Sequence, residues 1–391
     1  MITSYLNINS YFDYQLLEQS TKKSLTREEI IQLIPPSLAE LELSKEKHIP
    51  IPEEVLNVYA QYRSTPLFRA VAFEQAIGTD CEIYIKDEGK THSGNHKANS
   101  AYLIAYMCKR DGIKTITTET TGNWGTALAK AANHFGIEVL CFIDEESNRL
   151  RPDRVKIMED AGAKTIVVPL DEEHQDLLTL SADAAITYTK TLSNSAYIFG
   201  SVYGYFVIPQ TIIGLEAKEQ LKQIDRYPDI VVGSCGGGAN ILGTASVFIA
   251  DKLDGGKEVE IFSAEATSCP ILTEGKWGHY SIDSQSYYPL IHTYGLDGLL
   301  NDGKYIGGLG STIVAPAVSY FHSQNIIQAK TFTSEEAKQA ASLFYQSEQK
   351  LVALETGYQL AGVIHKAKTN SNKVILVNIS SGENDRKIYF S

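Results

Sequence analysis

The stretch DIVVGSCGGGANILGTASVFIA, residues 229–250, limits the fold more than any other part of the chain. It opens with a β-branched apolar run, crosses three consecutive glycines and continues as an apolar helical pattern. That order reads as strand, tight turn, helix. A buried strand feeding straight into a helix requires a crossover connection and a parallel neighbour. The same alternation recurs along the chain. KTITTETTGNWGTALAKAANHFG reads as strand, loop and helix, IEVLCFI (Ile137–Ile143) as a buried strand, RPDRVKIMEDAG as a helix and AKTIVVPL as a strand. A second series holds IIGLEAKEQL, the glycine segment, VEIFSAEA, SEEAKQAASLFYQSEQ and the strand KVILVNIS. Two such series predict an α/β protein of two lobes. Each lobe carries a mostly parallel, twisted sheet flanked by helices, and ligands bind in the cleft beyond the carboxyl ends of the strands. Residues 1–50, with a proline break, read as helical pieces of an arm that packs on the larger body.

A length of 391 residues suits two domains or one large α/β unit with insertions. The formal net charge of -12 argues against general binding to nucleic acid or to anionic membranes, while leaving room for a local basic pocket. No apolar run is long enough to span a bilayer, and the first residues lack a secretory pattern. Cys81, Cys108, Cys141, Cys235 and Cys269 are scattered, without a CxxC pair. They read as reduced thiols rather than a disulfide framework or a zinc site, and the expected location is the cytoplasm.

In the glycine segment the backbone N–H groups of Gly236, Gly237, Gly238, Ala239 and Asn240 can converge at the start of a helix, which makes a phosphate cradle. The spacing is neither GxGxxG nor GxxxxGK[ST], so one isolated phosphate fits better than a dinucleotide or a nucleoside triphosphate. A plain tight turn is the competing reading, although three adjacent glycines cost more chain entropy than such a turn needs. Lys97 sits in THSGNHKANS, a loop of small and polar residues at a helix start. By itself it is equally a solvated first-turn lysine or a reactive amine. A lysine combined with a phosphate cradle is the anchor pair for pyridoxal phosphate. The TTGN turn, Thr120–Asn123, suits an amino-acid carboxylate.

Taken together these segments resemble the fold-type II pyridoxal-phosphate enzymes, and within them the tryptophan synthase β chain, above all its stand-alone second class. The resemblance rests on RSTPLFRA, IYIKDEGKTHSGNHKANSA, YPDIVVGSCGGGANILG, GGLGSTIVAPAVS, LETGYQLAGVI and VILVNISSGENDRK, in that order. It implies that Lys97 forms the Schiff base with the cofactor, that His96 lies beside the phosphate, and that Asn99 touches the ring oxygen. It implies a phosphate loop of Gly236, Gly237, Gly238, Ala239 and Asn240, with alanine where the family usually has serine. Of the two serines near the end, Ser380 or Ser381, the register favours Ser381 for the pyridine nitrogen. A hydroxyl there makes a weaker electron sink than a carboxylate would. Glu119 matches the catalytic glutamate and Glu355 a second glutamate near the indole tunnel. Thr120, Thr121, Gly122, Asn123 and Trp124 would form the substrate side.

The implied reaction is β-replacement on an L-serine-type amino acid through an aminoacrylate, with indole as the default nucleophile. The resemblance further implies a homodimer and a monovalent cation without naming its ligands, and it leaves an α-chain-like partner open. It divides the chain into residues 1–60 plus 96–205, an arm with a smaller mobile lobe, and residues 61–95 plus 206–391, a larger lobe with the phosphate loop. One departure matters. ETTGNWG is one residue shorter than the β-chain pattern and looks like the Ser-Ser-Gly-Asn turn of dehydratases and of cysteine and threonine synthases. A displacement of about one ångström beside the reacting carbon can cost two orders of magnitude in rate. Two alternatives follow, a serine/threonine dehydratase-type lyase or β-replacement with a nucleophile other than indole. A non-enzymatic paralogue is disfavoured by the retained Lys97 and cofactor set.

Overall fold

The computed structural model describes residues 1–171, 176–297 and 307–386. The larger sheet has six strands in the order Ile327–Phe332, Glu260–Ala266, Ile230–Ser234, Val374–Ile379, Glu82–Asp87 and Leu67–Arg69. All neighbours are parallel except the last pair. The smaller sheet is wholly parallel, in the order Lys164–Val168, Glu138–Asp144, Thr115–Glu119 and Ser195–Tyr197. The predicted α/β architecture with two mostly parallel sheets is therefore the observed one. Ile230–Ser234 is buried along its whole length, as a strand covered on both faces should be, and reads as a continuous apolar run for that reason.

Helices cover both sheets. One face of the larger sheet packs on Val71–Ile77, Ser334–Glu348 and Leu354–Thr369, giving a core that includes Phe73, Ile83, Val232 and Phe344. Ser334–Glu348 begins in a capping box in which Thr333 accepts from the Glu336 N–H and Glu336 accepts from the Thr333 N–H. The other core is continuous from the smaller sheet through Ala98–Arg110 and Gly204–Gln210 to the arm, where Tyr5, Ile8 and Leu38 are buried. The arm packs as expected: the Leu6 N–H donates to Thr211 Oγ1 at 3.0 Å, and Ser4–Leu6 pairs with His48–Pro50.

Several elements escaped the sequence reading, among them the strands Ser4–Leu6, His48–Pro50, Leu67–Arg69, Ser195–Tyr197 and Ile327–Phe332. Leu16–Leu17, Leu290–Gly295 and Lys276–Tyr280 form a small antiparallel sheet. Lys276–Tyr280 is mostly exposed and carries no apolar alternation, so nothing local marks it as a strand.

Candidate active site

The carboxyl ends of the central strands of both sheets open on one cavity. Ser234 and Ser380 reach it from the larger sheet, and Glu119 from the smaller. Lys97 caps the start of Ala98–Arg110 and lines the same space. Burial pushes its amine below the usual lysine range, against the pull of the Glu355 and Glu119 carboxylates, with the Arg154 guanidinium adding to the depression. No described residue accepts a hydrogen bond from its Nζ. A partly buried, deprotonation-prone amine facing a cavity is a nucleophile for a carbonyl.

Opposite stands the glycine loop. Gly238 adopts φ +95° directly before the helix Ala239–Leu253. A Cβ on Gly237 would lie 1.8 Å from Ser201 Oγ, so only glycine fits there. The Asn240 carboxamide is held by its neighbours. It accepts from the Ser234 N–H at 3.2 Å and donates to Asn378 Oδ1 at 2.9 Å. The loop therefore offers backbone N–H groups at a helix N-terminus, which is the donor set for a phosphate monoester. A cradle that a side chain would fill, set across from a partly buried amine, fits pyridoxal phosphate. Lys97 would hold its aldehyde carbon and residues 236–240 its phosphate.

His96 lines the cavity beside Lys97. Its Nδ1 is 2.8 Å from Gln210 Oε1, and burial, reinforced by the neighbouring ammonium of Lys97, pushes its pKa down to about 4. The ring is neutral at physiological pH. Glu119 is 3% exposed. Burial raises its pKa to about 8, although hydrogen bonds from Tyr197 and the Gly200 N–H act in the opposite direction. A carboxylic acid that keeps its proton at neutral pH, in the same cavity as the amine, is a general acid.

The TTGN turn is held from within. Thr120 Oγ1 accepts from the Gly122 and Gly125 N–H groups, each at 3.0 Å. Asn123 donates to Glu355 Oε1 at 2.8 Å and accepts from Arg154 at 2.7 Å. Thr121, Asn123 and Trp124 line the cavity with Thr120, whereas Gly122 only shapes the turn. Trp124 donates to Thr118 Oγ1 at 2.8 Å and is nearly fully buried. Glu355 Oε1 also accepts from the Gly308 N–H at 3.1 Å, while its buried Oε2 has no hydrogen-bond partner among the described residues.

Two further expectations are corrected. Asn99 does not face the cavity. Its carboxamide donates to Glu88 Oε2 at 2.9 Å and accepts from Arg63 Nη1 at 2.6 Å, inside a buried cluster in which Arg63 also pairs with Glu216. Two positions along a helix is a rotation of about 200°, so residues 97 and 99 look in opposite directions. Asn95, unnoticed in the sequence, lines the cavity instead, and its Oδ1 accepts the Lys97 N–H at 3.0 Å. The second correction concerns the terminal serines. Ser380 lines the cavity, whereas Ser381 lies outside it, its N–H donating to Gly94 O at 2.8 Å. Side chains alternate past the end of Val374–Ile379. Ser380 shares the parity of Asn378, whose side chain supports the glycine loop, and Ser381 has the opposite one. Ser201, Tyr197 and Gln210 also belong to the site and were missed. Only GSVYG, a glycine–serine turn after a strand, carried a usable signal.

The fold and this pairing of a partly buried amine with a phosphate cradle define a pyridoxal-phosphate enzyme of fold-type II. Residues 58–381 match the family described as "Pyridoxal-phosphate dependent enzyme", and the chain belongs to it. Within that family it is similar to a tryptophan synthase beta chain of Thermosipho africanus, at 35% identity over 96% of this chain and 94% of the relative. It is likewise similar to tryptophan synthase beta chain 2 of Thermotoga maritima, at 36% identity over 90% of this chain and 86% of the relative. Tryptophan synthase beta chain 2 of Thermococcus kodakarensis matches at 34%, over 93% and 86%. The chain is a pyridoxal-phosphate-dependent lyase of the tryptophan synthase β-like kind. No helix among the described residues is long and apolar enough to cross a membrane.

Proposed function

We propose that the protein replaces the β-substituent of an L-serine-type amino acid with a nucleophile, indole being the first to test. The observation that supports this most directly is Glu119, a buried acid that keeps its proton, sharing one cavity with Lys97. Bound pyridoxal phosphate supplies an electron sink for charge developing at the substrate α-carbon. Lys97 would be the base that takes the α-proton, because burial favours its neutral form. Glu119 gives its proton to the departing β-oxygen and, as carboxylate, orients the incoming nucleophile. Thr121 and the N-terminus of Asn123–His134 receive the substrate carboxylate. Leu178, Phe199 and Trp124 give the cavity an apolar wall suited to a flat aromatic nucleophile. Ser380, which lines the cavity, would offer the ring nitrogen a hydroxyl rather than a carboxylate, a partner that would disfavour transamination.

The same reading takes residues 1–60 with 96–205 as arm and mobile lobe and residues 61–95 with 206–391 as the larger lobe. The two separate sheets support that division. Five buried, unpaired thiols support a reducing cytoplasmic setting.

The test is product analysis with the pure, cofactor-loaded protein. Serine, its phosphate and acetyl esters, and threonine are each supplied with and without indole. Tryptophan formed from a serine-type donor is the expected result. Keto acid and ammonia released without any nucleophile would replace this reading with the dehydratase one, which the short TTGN turn favours. Turnover with another nucleophile but not with indole would leave the β-replacement class and remove indole from it.

A further inference from the structure

Glu119 ends the strand Thr115–Glu119, and the neighbouring strand Ser195–Tyr197 runs parallel to it with Tyr197 beside Thr117. Paired residues of a parallel ladder face the same side, and Thr117 shares that side with Glu119. The Tyr197 phenol leans along the sheet to the carboxyl and donates to Glu119 Oε2. No other described residue bonds that hydroxyl. A phenol that accepted from the acid instead would leave its own buried proton without an acceptor, which is costly. The phenol therefore donates, and the acid proton is left to Oε1.

Tyr197 is held firmly enough to impose this order. It is 1% exposed. Its ring lies edge-on to Tyr288, with centroids 5.3 Å apart, and the Tyr288 hydroxyl donates to Tyr197 O at 3.1 Å. Tyr288 is fixed in turn. Its N–H donates to Asp283 Oδ1 at 3.0 Å, and its carbonyl accepts from Gln19 of the arm at 2.7 Å. The other groups that act on the Glu119 carboxyl are the Gly200 N–H, Lys97, the Cys141 thiol of the adjacent strand and Tyr288, while Tyr205 faces Tyr197 from the helix Gly204–Gln210. Tyr197 is the one described side chain that hydrogen-bonds the carboxyl. A donor fixed in advance needs no rearrangement when charge develops on its partner.

We propose that Tyr197 is the positioning residue of the acid: it occupies Oε2, keeps the transferable proton of Glu119 on Oε1 and stabilises the carboxylate left behind. This rests on the reading of Glu119 as the acid. When the carbon–oxygen bond of the donor breaks, its electron pair stays on the departing oxygen, the Glu119 proton joins that oxygen, and Tyr197 keeps its own proton.

Wild type, Tyr197→Phe, Glu119→Gln and the double variant are compared in two ways. The loaded enzymes are assayed with the serine-type donor that product analysis selects, and the apoproteins are unfolded in urea across pH. Tyr197→Phe is expected to lower kcat about tenfold and to leave the donor KM within about twofold. In the Glu119→Gln background the same change costs less than about twofold, because the proton it steers is gone. Loss of the donor also raises the Glu119 pKa. The fall of stability with pH that Glu119 causes, taken as the difference from the matching glutamine variant, should run on about one pH unit further in Tyr197→Phe. Tyr197→3-fluorotyrosine keeps the shape and donates more strongly, so that fall should end at lower pH than in wild type. An equal loss of kcat in both backgrounds, or a Glu119-dependent stability curve that neither change at residue 197 moves, would overturn the proposal. An unchanged rate in Glu119→Gln would overturn the acid reading and this proposal with it.

Discussion

Replacing Glu119 by glutamine tests the acid through stability as well as rate. In the fold the carboxyl holds its proton up to about pH 8, against an ordinary value of 4.5, because burial penalises the charged form. In between, the unfolded chain has lost this proton and the folded chain has kept it, so the unfolded state binds fewer protons. Stability then falls as pH rises, with a limiting slope of about 1.4 kcal/mol per pH unit for one such group. The slope fades as the folded carboxyl itself ionises, which leaves about 2 kcal/mol lost between roughly pH 6 and pH 8. Glutamine keeps the shape and has no proton to lose. Urea unfolding of the two apoproteins across that window measures the difference, and the opposite contribution of His96, common to both, cancels. Wild type is expected to lose about 2 kcal/mol more than Glu119→Gln over those two units. In the loaded enzyme the same variant should slow departure of the β-substituent by about 10²–10⁴-fold. Parallel stability curves would refute the protonated acid and, with it, the role assigned to Glu119.

Lys97→Ala should abolish the covalent cofactor absorbance while leaving the fold intact, read by spectrum and circular dichroism together. Gly237→Ala places a methyl group against Ser201 Oγ and should weaken pyridoxal phosphate at least about tenfold, read by titration. Ser380→Ala should alter the visible spectrum and the pH dependence of the bound cofactor, whereas Ser381→Ala should alter neither. The reverse result would restore the assignment made from the sequence.

Much of the site was readable because its parts are local. A strand, three glycines and a helix announce a phosphate loop from their order alone, since backbone N–H groups at a helix start need no distant partner to point at an anion. Lys97 was identifiable as a candidate amine because it stands at a helix start among small residues. The α/β class followed from alternating apolar runs that must be buried on both faces.

Other features depend on which side of an element faces which neighbour. Asn99 looked like a cofactor contact by its proximity to Lys97, yet helical rotation delivers it to Arg63 and Glu88. Ser380 and Ser381 differ only in strand parity, which the chain end does not declare. Tyr197 reaches Glu119 from the neighbouring strand of the smaller sheet and Ser201 reaches the glycine loop of the larger one, and no spacing in the sequence encodes either approach. The amino-acid sequence by itself thus determined the fold class and marked a candidate amine and a candidate anion cradle, which arise within single strand–turn–helix units. The tertiary structure alone decided the charge state of Glu119, the hydroxyl over Gly237 and which of the two terminal serines lines the cavity. Burial, close approach and facing are properties of packed elements, and they exist only once two sheets share a cleft.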